Sequence, residues 1–105
     1  MIEVYHLEDM VKGWFIGSFE PSLHKTESVE VGVKKYKAGE NESNHYHKIA
    51  TEFTVIIDGE VEMSGKRYVK DNILVIKPGT TTDFKAITDV TTVVVKIPGA
   101  VNDKY

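Results

Sequence analysis

The sequence predicts an all-β fold of the antiparallel sandwich or barrel kind. Three observations carry that expectation. Apolar residues recur with a period of two, as in Val29, Val31 and Val33 set against Glu30, Gly32 and Lys34, which is the pattern of a strand with one buried face. Such runs are short and return at intervals of about 8–12 residues, the rhythm of sandwiches and barrels. Gly, Pro, Asp and Asn punctuate the gaps between them, and no segment holds a long helical period, which argues against alternating βα units.

Taken in chain order, residues Leu7 to Lys12 are the one place where a turn or two of helix is expected. The strand around Val29 to Lys34 comes next. Ala38 to Asn44 is polar and without period, so it reads as a connection leading into a strand His45-Tyr46-His47. Phe53 to Ile57, the turn dipeptide Asp58-Gly59 and Val61 to Met63 together read as a β-hairpin, and Ser64-Gly65 as a second turn. Ile73 to Ile76 is apolar on both faces and stops at Lys77-Pro78-Gly79. Val90 to Ile97 is the last strand, closed by Pro98-Gly99. No repeat, low-complexity tract or linker interrupts the chain.

Length and composition bound what the chain can do. At 105 residues it is expected to form one domain, 1–105, with a core region 29–98 and an N-terminal segment 1–28 packed on the barrel or at a dimer interface. With 13 basic and 16 acidic residues the net charge is -3, and Lys and Arg are scattered, so neither nucleic acid nor an anionic membrane is an expected partner. No apolar run approaches the roughly 20 residues of a membrane helix, and the opening residues do not read as a secretion signal, so a cytoplasmic location is expected. There is no cysteine. Disulfides, thiolate catalysis and Cys-based zinc sites are thereby removed, and any metal must be held by His, carboxylate or backbone oxygen.

The residues that carry chemistry fall between Gly39 and Gly59. Residues two apart on a strand share a face, with Cα atoms roughly 6.6 Å apart, so His45 and His47 can present both imidazoles to one point while Tyr46 faces away. Glu52 follows across a short link, where an adjacent strand would bring its carboxylate alongside. Two imidazoles and one carboxylate with positions left open suit non-haem Fe(II), and similar sets hold Mn, Ni, Co or Zn. The same spacing also suits two polar residues on a solvated face with a surface carboxylate beyond them. His6 and His24 read as surface histidines. Trp14, Phe15, Ile16 and Phe19 make the N-terminal stretch unusually aromatic, and are expected to complete a core or a dimer interface in preference to lining a pocket.

Gly39, five residues, His45-Tyr46-His47, four residues, Glu52, six residues, Gly59 resembles the first motif of the cupin superfamily at every defined position. The segment Asp71 to Phe84, with Pro78-Gly79, is similar to the second motif, with two departures: Lys70 stands beside Asp71 where the family has glycine, and Thr82 stands where the family places its last metal-binding histidine. The resemblance covers about residues 29 to 98. It implies a cupin-type antiparallel jelly-roll barrel, RmlC-like, with little helix; a divalent transition metal (Fe, Mn, Ni or Zn) at His45, His47 and Glu52; and a homodimer formed through edge strands or exchanged N-terminal segments. Water would fill the fourth position, or Asp83 would substitute, although it points opposite to Thr82.

One scaffold hosts many activities, so several readings stay open. The first is metal-dependent catalysis on a small polar metabolite. The second is a non-catalytic binding or sensor module for a sugar or anion, with the metal structural or absent, which the missing fourth ligand favours. A metal-independent sugar isomerase or epimerase would need an inward His or Tyr acid-base pair, and Tyr46 is expected to face out. A vestigial pocket is the remaining possibility.

Overall fold

The computed structural model describes residues 1–100 and 102–105. Among these residues nine strands follow one 3-10 turn at Leu7–Asp9, all that the N-terminal helical expectation yields. They are β1 (Trp14–Ile16), β2 (Glu30–Tyr36), β3 (Asn41–His45), β4 (Thr51–Asp58), β5 (Glu60–Met63), β6 (Lys66–Val69), β7 (Ile73–Ile76), β8 (Thr82–Ala86) and β9 (Val90–Ile97). A five-stranded sheet runs β1-β2-β9-β4-β7 and faces a four-stranded sheet, β3-β8-β5-β6. Every pairing is antiparallel. Consecutive strands thus alternate between the sheets from β2 to β5 and again from β6 to β9, which is how a jelly roll winds.

The period-two pattern sorts residues between the two faces. Thr54 and Ile56 on β4, Val61 and Met63 on β5, Thr82, Phe84 and Ala86 on β8, and Val90, Thr92 and Val94 on β9 are all buried. At one end of the sandwich Ile56, Val61, Met63, Phe84, Ala86 and Val90 form the apolar core, flanked by Leu74 and Tyr68. The opposite end is lined by polar and charged side chains, and the site lies there.

Two local expectations are corrected. Asp58-Gly59 does not close a hairpin, because β4 pairs with β7 and β9 while β5 pairs with β6 and β8; the turn carries the chain from one sheet to the other. Gly59 has φ +95, and a Cβ there would fall 2.3 Å from the Asp89 carbonyl oxygen, so the crossing needs a residue without a side chain. The true hairpin is β5–β6, with Met63 opposite Lys66 and positive φ at both Ser64 and Gly65, the turn that matches strand twist. The second is the face of the first long strand: on β2 it is Glu30 and Gly32 that are buried and Lys34 that lines the cavity, because the site's end of the sandwich is polar inside. Val31 and Val33 turn to the outer side, where Ile73 and Val75 of β7 are exposed. That outer face continues through Phe53 and Val55 on β4 to Val93 and Val95 on β9, which stand side by side in register.

Candidate functional site

The site is a cavity of about 240 Å³ between the two sheets, into which His45, His47 and Glu52 all face. Each arrives by a different route. β3 begins at Asn41, so much of the expected connection is strand, and it ends at His45, so His47 lies beyond it. Within β3 the register slips: Glu42 pairs with Phe84 but His45 pairs with Thr82, so β3 holds one residue more than β8 over this stretch. A bulge of that kind re-aims side chains. Regular alternation would put Glu42 and Asn44 inside and His45 outside; the extra residue lets both Glu42 and His45 face the cavity. Glu52 comes not from a strand adjacent to the histidines but from β4 in the facing sheet, so the three side chains meet across the sandwich.

Both imidazoles are held through Nδ1. His45 Nδ1 is 2.9 Å from the Ser43 carbonyl oxygen, and His47 Nδ1 bonds the Asp103 carbonyl oxygen. A carbonyl only accepts, so in the neutral form both rings carry their proton on Nδ1 and keep the Nε2 lone pair for a ligand. This is how metal-binding histidines are oriented. The two rings stand edge to face with centroids 5.6 Å apart. His47 Nε2 lies 3.8 Å from Glu52 Oε1, while Thr54 Oγ1 donates to Glu52 Oε2 at 2.8 Å and fixes the carboxylate. Two ligands each about 2.1 Å from one ion stand roughly 3.0–3.4 Å apart, so this pair is slightly wide. Among the described residues no three His, Asp or Glu side chains are drawn closely enough together to hold an ion as they stand. The donor chemistry fits a divalent transition metal; a small inward movement would have to complete it.

The position of the fourth cupin ligand is filled by Thr82, buried, its hydroxyl accepting from Ser64 Oγ at 3.0 Å and donating to the Asp83 carbonyl oxygen. Asp83 does not replace it: one carboxylate oxygen accepts the Ser64 backbone N–H at 2.7 Å. Tyr46 turns away from the cavity, as expected, and stacks on Tyr105, which leaves no Tyr46 acid-base role. His6 and His24 are exposed.

Several residues of the site escape a reading by motif. Tyr36 lines the cavity, and burial, with the Glu42 and Glu52 carboxylates nearby, pushes its phenol well above its ordinary range, so the hydroxyl keeps its proton. Trp14, expected in a core or interface, instead lines the cavity, lying over Gly32, where a Cβ would come 2.7 Å from the ring. Asp103 anchors the loop that bears His47. Its carboxylate accepts the backbone N–H groups of Lys48, Ile49 and Ala50 at 2.9, 2.9 and 3.0 Å. Burial opposes its ionisation, but those donors outweigh burial and hold the carboxyl below its ordinary range. Tyr46 and Tyr105 exchange both backbone hydrogen bonds, and Lys48 Nζ sits 4.1 Å from the Tyr105 ring centroid, so the segment after β9 straps the His47 loop in place. Nothing local marks that role, because the partners lie more than fifty residues apart.

No protein-family model matches the chain, and no curated protein matches it in sequence. Solved structures do. A conserved protein with a double-stranded β-helix domain from Klebsiella pneumoniae superposes with TM-score 0.67 at 20% identity, over 91% of this chain and 84% of that one. An RmlC-like cupin from Shewanella frigidimarina gives 0.64 at 16% identity, over 74% and 72%. The DMSP lyase DddQ from Ruegeria pomeroyi gives 0.66 at 20% identity, over 85% of this chain and 46% of that one. The chain thus has the cupin fold, a double-stranded β-helix, as the motif implied. Its structural neighbours include enzymes, and no helix among the described residues is long and apolar enough to cross a membrane.

Proposed function

We propose that this chain is a metal-binding cupin that acts in the cytoplasm on a small polar metabolite, with His45, His47 and Glu52 as the ligands of a divalent transition ion. The observation that carries the reading is the pair of carbonyl-anchored imidazoles, each leaving Nε2 for the cavity that Glu52 enters from the opposite sheet. An ion of Fe, Mn, Ni or Zn there would supply Lewis acidity and open positions for substrate. The chain's own groups do the rest. Ser43 and Asp103 carbonyls fix the rings, Thr54 orients Glu52, and Met63, Ile76 and Phe84 close the cavity's apolar side against water. Tyr36, holding its proton, offers a neutral hydrogen-bond donor beside the ligands.

A second reading, a non-catalytic binding module with a structural or absent metal, draws on Thr82: a buried hydroxyl already bonded to Ser64 and the backbone offers no fourth ligand. Elemental analysis tests the first. Protein purified without chelator should carry close to one equivalent of a transition metal, and His45→Ala and His47→Ala should lose it while melting cooperatively. Metal-free native protein that stays empty after dialysis against each ion would sink the reading. The homodimer is likewise a proposal. A second copy is the occupant suited to the outer face of the five-stranded sheet, where Ile73, Val75 and Ile97 are 65, 50 and 50% exposed in one continuous apolar strip, more than isolated surface residues present.

A further inference from the structure

The cavity that holds the candidate ligands is rimmed by Lys12, Lys34, Lys96 and Lys104. In a chain of net charge -3 this gathering is not the average of the surface. Among the described residues none of the four has a carboxylate within 4 Å. The acidic groups that share the cavity are otherwise engaged: Glu52 with Thr54, and Asp83 with the Ser64 N–H. Glu30, opposite Lys96 across the β2–β9 pair, accepts the Ala100 N–H at 2.6 Å. Glu42 is the remaining carboxylate of the lining.

Two of the lysines are placed with precision. The ammonium groups of Lys34 and Lys96 stand 5.5 and 5.0 Å from the centroid of the Trp14 ring, which confines both to the cavity mouth. Lys34 Nζ donates to the Lys12 carbonyl oxygen at 2.8 Å, which uses one of its three hydrogens and leaves two. The amine of Lys34 is held below its ordinary range, first by burial and also by the charges of Lys12, Lys96 and Lys104, with Glu42 opposing. Like charges crowded in a partly dry mouth are relieved by an anion.

We propose that the cavity recognises a small oxyanion, a carboxylate or phosphate group, bound between Lys34 and Lys96 beside Trp14. The volume of about 240 Å³ lies below the roughly 300–1,000 Å³ of drug-sized sites, so the ligand is a compact metabolite. The anion adds to the single free counter-charge of Glu42 against four lysines, while the rest of the ligand extends toward His45, His47 and Glu52. This inference rests on the cavity being a ligand site, but not on a metal being present.

Trp14 is the only tryptophan, so its fluorescence reports the mouth directly. The full chain, stripped with chelator, is titrated with malonate, with inorganic phosphate and with neutral malonamide. Saturable change with malonate or phosphate and none with malonamide is the expected result, and which of the two binds tighter identifies the end group. Lys34→Met and Lys96→Met keep the aliphatic stem over Trp14 and remove the charge. Each should weaken binding about tenfold or more with the melting temperature within a few degrees of wild type, while Lys25→Met, on an exposed lysine that pairs with Glu20, should leave it unchanged. Raising the salt from 50 to 500 mM should weaken wild-type binding for the same reason. Equal response to malonamide, affinity unchanged in both lysine variants, or no saturable response to any probe would overturn the proposal. Because the titration is made on stripped protein, failure of the chain to take up metal leaves this result standing, and the two readings fail separately.

Discussion

Replacing Asp103 by Ala removes the acceptor of three backbone N–H groups in the loop that carries His47. The magnitude follows from where each donor is left. Ala50 is buried, so its N–H goes unsatisfied at a cost of about 1–3 kcal/mol. Lys48 and Ile49 are exposed and their donors return to water, which limits each loss to about 0.5–1 kcal/mol. A sum near 3 kcal/mol corresponds to a fall in melting temperature of roughly 12–24 °C for a domain of this size. Asp103→Asn keeps one acceptor oxygen and should lose about half as much. The pH dependence has a definite sign. The folded-state carboxyl titrates below its unfolded value of about 3.9, so its stabilisation is complete above that pH and is lost as the pH falls through the lower folded value. The gap between wild type and Asp103→Asn, read by circular dichroism melts, should be wide at pH 7 and should narrow below about pH 4. A fall of less than about 3 °C for Asp103→Ala at pH 7, or a gap to Asp103→Asn that does not narrow in acid, would refute the strap.

Two further outcomes follow from the fold. Gly59→Ala sets a Cβ against the Asp89 carbonyl oxygen at positive φ, and the strain of about 1–2 kcal/mol for the backbone conformation alone, with the clash added, should lower the urea midpoint clearly without changing the slope. Ile73→Lys, on the outer face, should shift the species measured by light scattering from dimer to monomer while the far-ultraviolet spectrum stays unchanged; a monomeric wild type would remove that proposal.

Much of the architecture is written locally. Val29 to Lys34 announces a strand by its period and Val90 to Ile97 by its apolar β-branched run, and the structure pairs Glu30–Tyr36 with Val90–Ile97. The faces of the first are inverted, because Glu30, Gly32 and Lys34 turn inward to a polar cavity and Val31 and Val33 outward beside Val95 and Val93. What alternation does not encode is the partner. Asp58-Gly59 is a true turn, yet it leads to the other sheet, because a reversal of direction leaves the choice of sheet to packing. Strand β8 is hidden for a similar reason: Thr82 to Ala86 buries only alternate residues, and two of its five are charged. At the site, the motif carried His45, His47 and Glu52 to one cavity. It missed Tyr36, Trp14 and the lysines, which reach the same space from the segment before β1, from β1, β2 and β9, and from the chain's last residues, and whose types are ordinary for a surface. Asp103 was invisible because its three partners lie 53 to 55 positions earlier.

The extra residue in β3 gives the fold an independent handle on its chemistry. Shortening Ser43-Asn44 by one residue would set His45 two places after Glu42, still on the cavity face opposite Thr82, but would remove the bulged stretch whose Ser43 carbonyl holds the His45 Nδ1, with every other pairing of both sheets left in register. A single-codon deletion there would therefore leave the imidazole in the cavity and change only how its ring is aimed, without dismantling the barrel. On this scaffold the aim of an imidazole, as distinct from its presence, is set by one amino acid of strand length.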